Sequence, residues 1–401
     1  MPTMESLLKH LVDADGSDLH ILSGLAPACR IHGRLRPVEG TEDLSPAEVQ
    51  ELVYSVLTKQ QIDKFENDPD SRNELDFAFG LSGVGRFRFN VHRQRGTIGA
   101  VVRALSSQIP SLEQLGVPPG LWSICNVKKG LFLVTGPTGS GKSTTLAAII
   151  DRLNETREEH ILTIEDPIEY IHNSKKAYVT QREVGEAGDT LSFKNALKYA
   201  LRQDPDVILV GEMRDYETIG IAVTSAETGH LVLGTLHTSS AAQTVGRIID
   251  VFPTDQQPQI VVQLAQNLVG VASQILLPRA DGSGRVLCLE LMKANGAIRS
   301  NIRGNNIDAI YQAIQTGSRE GMITMDQSLL NLLEAGKITY EIAKPHVRDD
   351  ITHRRMQELT GAEGGKAPSP PPRPAATPAP AAAETPSPSR GKVSIPPWEQ
   401  R

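Results

Sequence analysis

Cysteine is scarce: Cys29, Cys125 and Cys288 are the three in 401 residues, far apart and with no C-x-x-C pair. That excludes a disulfide framework and a cysteine zinc module, and fits a reducing cytosol. Long apolar runs are missing too. No stretch approaches the roughly eighteen residues of a membrane span, and residues 1–20 lack the basic-then-apolar design of a signal peptide. Direct membrane insertion is therefore not expected, and any membrane connection should come through a partner. Nor is there an excess of positive charge. Lys and Arg total 41 against 47 Asp and Glu, a net charge of −6, the wrong sign for a protein that coats nucleic acid.

What is present suffices for more than one core, with 39% hydrophobic residues. Eleven of the 26 prolines fall in 361–401 among many alanines, which predicts a disordered Pro/Ala-rich tail whose Val393, Ile395 and Trp398 could form a short docking motif. Residues 1–110 read as a mixed α/β domain. A first helix is apolar at Leu7, Leu8, Leu11 and Val12, a hairpin spanning Arg30, Ile31, His32, Gly33, Arg34 and Leu35 turns at Gly33, and a strand alternates Phe87, Phe89 and Val91 with Arg86, Arg88 and His92. Arg86, Arg88, Arg93, Arg95 and Arg103 have no acidic residue among them. The prolines of 110–119 mark a linker at 111–120.

From 121 to 275 the texture is that of a parallel sheet covered on both faces, with apolar runs at 131–135, 161–164, 207–210 and 231–236 separated by helical patterns. The stretch 276–360 opens as a hairpin turning at Asp281-Gly282-Ser283-Gly284 and continues as helices.

The chemistry is concentrated after the first of those runs. Gly136-Pro137-Thr138-Gly139-Ser140-Gly141-Lys142-Ser143 matches G-x-x-x-x-G-K-[ST] between a strand and the helical run beginning at Thr144. Such a loop wraps its N–H groups around phosphates, Lys142 would reach the β and γ phosphates, and Ser143 would ligate Mg²⁺. ATP and Mg²⁺ are thus the expected cofactors. Carboxylates should stand at neighbouring strand exits: Glu165, Asp166 and Glu169 after one run, Glu212 after another, where Gly211 takes the usual place of a metal-binding aspartate. Glu165 and Asp166 join Ser143 as candidate metal residues, and Glu169 and Glu212 are the two general-base candidates. His230 and His237 bracket a strand and lie roughly 20 Å apart if it is regular at about 3.3 Å per residue, so they do not share a metal. His237, at the C-terminal end, could sense a γ-phosphate. Arginines commonly complete such sites, and Arg86, Arg88, Arg103, Arg202, Arg214 and Arg247 are available.

Taken together, Ser17-Asp18-Leu19-His20, the P-loop, the acidic box 163–169, the atypical Walker B at 208–214 and the histidine box 229–238 resemble the secretion ATPase superfamily, most closely its retraction motors of type IV pili. The resemblance spans about residues 5–360. It implies a PAS-like N-terminal domain, a RecA-like P-loop ATPase domain and a cytoplasmic homohexamer with nucleotide between domains. It also implies Glu212 and Glu169 as acidic catalytic residues, with His237, His230, Arg88 and Arg103 as further catalytic candidates. A pilus-retracting motor acting through an inner-membrane platform protein follows, with a second retraction ATPase as a further candidate partner and an accessory retraction ATPase as the alternative reading. The retraction motors' Ala-Ile-Arg-Asn-Leu-Ile-Arg-Glu segment is matched at five of eight positions by Ala297-Ile298-Arg299-Ser300-Asn301-Ile302-Arg303-Gly304. That helix is expected to show its arginines to the pilus machinery. A RecA-like nucleic-acid translocase is the competing reading, and it requires Phe87 and Phe89 to be exposed for base stacking.

Overall fold

The computed structural model describes residues 2–31, 33–69, 72–105, 108–185 and 188–360. The tail with its 393–398 motif, and His32 in the first hairpin, lie outside the described residues.

Strands β1 (Gly16–Ile21), β2 (Ala28–Ile31), β3 (Arg34–Pro37), β4 (Glu74–Leu81), β5 (Gly85–Gln94) and β6 (Thr97–Ala104) form an antiparallel sheet of order β3-β2-β1-β6-β5-β4. The period-two pattern of β5 places Phe87, Phe89 and Val91 wholly inside, where Phe77 and Phe89 stack at 4.9 Å. Bases cannot stack on them, so the observation on which the translocase reading depended is gone. The helix Met4–Asp13, started by a Thr3 capping box, lays Leu7, Leu8 and Leu11 on this core. Val12, expected on that face, is 40% exposed: a 100° step from Leu11 carries it past the edge of the apolar stripe.

The segment after this sheet is ordered and packed, with Leu112 and Leu121 buried. It is stapled by Arg157, whose guanidinium, 8% exposed, donates to the carbonyls of Cys125 and Val127 and to Glu159.

The second sheet contains β7 (Gly130–Thr135), β8 (His160–Glu165), β9 (Tyr178–Glu183), β10 (Val207–Val210), β11 (Leu231–Leu236), β12 (Leu268–Pro278) and β13 (Arg285–Lys293) in the order β13-β12-β7-β11-β10-β8-β9. All pairs are parallel except β12–β13, the anticipated hairpin. β12 runs across residue 275 and pairs with β7, so the hairpin belongs to the same sheet as the P-loop. Every residue of β7, β10 and β11 is buried, as a sheet covered on both faces demands. Beyond β13, the helix Gly296–Arg303 buries Ile298 and Ile302 as its spacing predicts. Its arginines are not equivalent surface groups. Arg299 turns inward and donates to the carbonyls of Ala265, Gln266 and Leu268, closing the C-terminus of the helix Gln257–Asn267, whereas Arg303 is exposed.

Candidate nucleotide site

Parallel register decides which side chains meet. Thr135 of β7 pairs with Leu236 of β11, and Val210 of β10 pairs with both Ile164 of β8 and Gly234 of β11. The P-loop, Glu165, Glu212 and His237 therefore leave the sheet along one edge, the C-terminal edge at which such sheets bind ligands.

After Thr135 the chain turns sharply through Gly136 (φ 144°) and enters the helix Lys142–Thr156 through Gly141 (φ 86°). A Cβ at Gly136 would collide with the carbonyl oxygen of Gln274 on β12. The contact is deliberate in the sense that Gln274 also holds the loop: its buried Nε2 donates to the Ser140 carbonyl at 2.7 Å. Lys142 Nζ donates to the carbonyls of Gly136 (2.9 Å) and Pro137 (3.1 Å). Burial holds its pKa below the ordinary lysine value, against the opposing pull of Glu212 and Glu169. Thr144 Oγ1 lies 3.0 Å from the Tyr170 hydroxyl.

Across the cleft, Glu165 accepts from Thr163 Oγ1 at 2.6 Å and from Gln181 Nε2 at 3.2 Å, and burial pushes its carboxyl upward. A cis Asp166–Pro167 bond follows, and Glu169 is exposed. Glu212 is gripped by Arg214, Nε to Oε1 at 2.6 Å and Nη2 to Oε2 at 2.7 Å, and its Oε1 is 3.0 Å from His237 Nε2. The guanidinium beside it holds Glu212 below the usual carboxylate range.

These groups line one cleft of about 380 Å³, with Thr138, Gly139, Gly141, Lys142, Ser143 and Thr144 on one wall and Glu165, Asp166, Glu169, Glu212 and His237 on the other. The size falls within the roughly 300–1,000 Å³ of small-molecule sites. Among the described residues no three His, Cys, Asp or Glu side chains are grouped to hold a metal alone. The donor set instead fits Mg²⁺, which takes one or two protein oxygens and fills the rest of its shell with phosphate and water. Ser143 and Asp166 line the cleft, and Glu165 has one oxygen committed to its neighbours.

The remaining predicted residues lie elsewhere. His230 is at the far end of β11, its Nδ1 2.9 Å from the Ser225 carbonyl. Arg103 donates to Asp18, its register partner across β1 and β6, at 2.9 Å; the Ser17-Asp18-Leu19-His20 motif thus ties the first sheet together. Arg86 pairs with Glu183 at 3.3 Å, and Arg88 lines a separate cavity with Asp166, Pro167 and Glu183. Arg202 lies over the Tyr199 ring, and Arg247 lines a second pocket together with Glu212, Arg214 and His237. Sequence reasoning missed Gln274, Tyr170, His172 and Arg285, which also line or brace the cleft. Gln274 carries a signal, a lone amide beside Ser273 in a strand otherwise without polar side chains; Arg285, after a glycine-rich turn, carries none.

Residues 86–328 match the family model described as "Type II/IV secretion system protein". The chain is 47% identical over 338 residues, 84% of its length and 96% of the relative's, to the type IV pilus retraction ATPase PilT of Pseudomonas aeruginosa. It is 50% identical over 318 residues, 79% of its length and 83% of the relative's, to a twitching motility protein of Neisseria gonorrhoeae. The crystal structure of the pilus retraction motor PilT with bound ADP superimposes with a TM-score of 0.80 at 46% identity, covering 88% of this chain and all of that one.

Proposed function

The chain belongs to the type II/IV secretion system protein family, and from that premise we propose that it is a homohexameric, Mg²⁺-dependent ATPase that powers type IV pilus retraction. The carrying observation is the single cleft in which the P-loop with Lys142 faces Glu212 and His237.

In this reading the N–H groups of 136–141 and the start of the following helix cradle the phosphates. Lys142 exchanges its two carbonyl partners for phosphate oxygens. Bound Mg²⁺, held by Ser143 with Asp166 or Glu165 through water, would neutralise phosphate charge. Glu212, kept ionised by Arg214, orients the attacking water and accepts its proton, and Glu169 supports it from the cleft mouth. His237, hydrogen-bonded to Glu212, reports loss of the γ-phosphate. Arg88 and Arg103 stand outside their own subunit's cleft, which supports supply of the completing cations by a neighbouring subunit in the ring. His230, at the opposite strand end, is assigned to packing or subunit contact.

The proposed division is 1–110, 111–120, 121–275 and 276–360; the separate hydrophobic cores of the two sheets support the first boundary, whereas β12 crosses residue 275 and Ile298, Ile302 and Ile310 share the core of the second sheet, so the last two parts form one packed body. Among the described residues no helix is long and apolar enough to cross a membrane. In this reading the protein acts from the cytoplasm on an inner-membrane platform protein, alone or with a second retraction ATPase.

The test is replacement of the chromosomal gene by Lys142→Ala. Excess surface pili with lost twitching, together with lost ATP turnover by the purified protein, is expected; normal twitching with full turnover would sink the assignment.

A further inference from the structure

Behind His237 the chain runs through Thr238 and Ser239 into the helix Ala241–Asp250, capped by Ser240. Two groups from later in the chain hold this turn. Glu290 of β13, 1% exposed, accepts from the backbone N–H of Ala241 at 2.7 Å. Arg348 places Nη2 3.4 Å from both the carbonyl and the Oγ of Ser239. Arg348 is itself anchored: its backbone N–H donates to Asp326 at 2.6 Å, and Asp326, also 1% exposed, accepts from the Tyr311 hydroxyl at 2.9 Å.

From the other side, a chain of hydroxyls reaches the P-loop strand. Thr238 Oγ1 lies 2.6 Å from Thr244 Oγ1, which is 3.5 Å from Thr135 Oγ1, and Thr135 Oγ1 is 2.7 Å from Ser273 Oγ. Thr135 immediately precedes Gly136. The histidine loop is therefore clamped between the strand that carries the P-loop and the C-terminal part of the chain.

Building on the ATPase reading above, we propose that Glu290 and Arg348 are positioning residues for His237, fixing residues 239–241 so that the imidazole meets Glu212 and a γ-phosphate in one geometry. Neither touches the cleft; each acts through the loop. The bond reaches the first N–H of the helix, and because burial pushes the Glu290 carboxyl upward, what holds the turn is the acceptor oxygen rather than a full negative charge. β13 runs on from Glu290 through Lys293 to the helix Gly296–Arg303. The same clamp thus gives the histidine loop a short route, through one hydrogen bond and then along the chain, to the segment that resembles the retraction motors' own motif.

The experiment measures kcat and KM for ATP, with melting temperature, on the assembled protein carrying Arg348→Ala, Arg348→Lys, Glu290→Ala or Glu290→Gln. Arg348 is exposed and fills no core volume, so Arg348→Ala should fold normally. It should lose kcat several-fold at steady KM, and Arg348→Lys should recover part of the loss. Glu290→Ala should lose about tenfold in kcat, while Glu290→Gln, whose amide oxygen still accepts from Ala241, stays near wild type. An unchanged kcat in Arg348→Ala overturns the inference, as does a loss that merely tracks a fall in folded protein or a rise in KM. Absence of Lys142-dependent turnover in the wild type overturns the ATPase reading itself, and this inference with it.

Discussion

His237 Nε2 and Glu212 Oε1 lie 3.0 Å apart, each just past the end of one of two adjacent parallel strands. Arg214 grips the same carboxylate through both oxygens, Oε1 included. A carboxylate so held stays ionised into acid and accepts a proton only where its partners yield, which is the condition of a group that orients water first and takes its proton late. Glu212→Gln keeps the shape and removes the charge. The expected result is ATP binding near wild type with turnover reduced by about 10²–10⁴-fold, checked by nucleotide titration and steady-state hydrolysis. If Glu169→Gln is the dead variant instead, the two carboxylates exchange roles.

The pH dependence follows from the same contact. Arg214 lowers the Glu212 pKa, so removing it lets that pKa rise toward the ordinary carboxylate value. The acid limb of the kcat/KM profile of Arg214→Ala should then move to higher pH. A limb that stays in place or moves down would separate Glu212 ionisation from turnover.

Much of this site was legible because its grammar is local. A P-loop needs glycine at fixed offsets between a strand and a helix, and apolar runs ending in Glu165 or Gly211-Glu212 announce strand exits. What escaped depends on pairings distant in sequence. β9 is a half-exposed edge strand, Tyr-Val-Thr-Gln-Arg-Glu, with no apolar face of its own. Gln274 matters only because β12 returns beside β7, and Arg299 faces inward only because the end of the helix Gln257–Asn267 lies under it.

Gln274 yields a second test. With Gln274→Ala the buried Ser140 carbonyl loses its partner, at a cost of about 1–3 kcal/mol. Because that carbonyl belongs to the phosphate loop, the expected effect is a raised KM for ATP with a smaller change in kcat. A variant of unchanged KM would show that the loop keeps its shape without the brace.

Arg157 is the structural counterpart. Its guanidinium ties 125–127 to Glu159 and is almost wholly buried. Truncation to alanine should destabilise by about 3–5 kcal/mol, the range for breaking a buried charge pair, read by denaturant unfolding. Burial alone would raise the Glu159 pKa, but Lys128 and Arg157 outweigh it and the folded value is depressed. Its contribution to stability is therefore present above the unfolded glutamate pKa and lost as pH falls through the folded one. Arg157→Ala should accordingly flatten the loss of stability at acid pH. An equally steep acid limb would place that dependence on other carboxylates.

The helix Gly296–Arg303 separates two roles that its sequence presents as one. Arg299 gives hydrogen bonds to three carbonyls at the end of a neighbouring helix, where a cation is favoured by the helix dipole and each charged bond is worth about 1.5–3 kcal/mol. Arg299→Ala should lower the melting temperature and reduce ATPase activity along with the folded fraction. Arg303 is exposed, and exposed substitutions of this kind usually change stability by within about 0.5 kcal/mol. Arg303→Ala should keep hydrolysis and ring assembly while twitching falls, if this face passes the cycle to the pilus machinery. The double alanine variant would confuse the two effects, so the single variants are the informative ones. Equal losses of melting temperature in both would refute the division, and normal twitching in Arg303→Ala would leave the segment a purely internal brace.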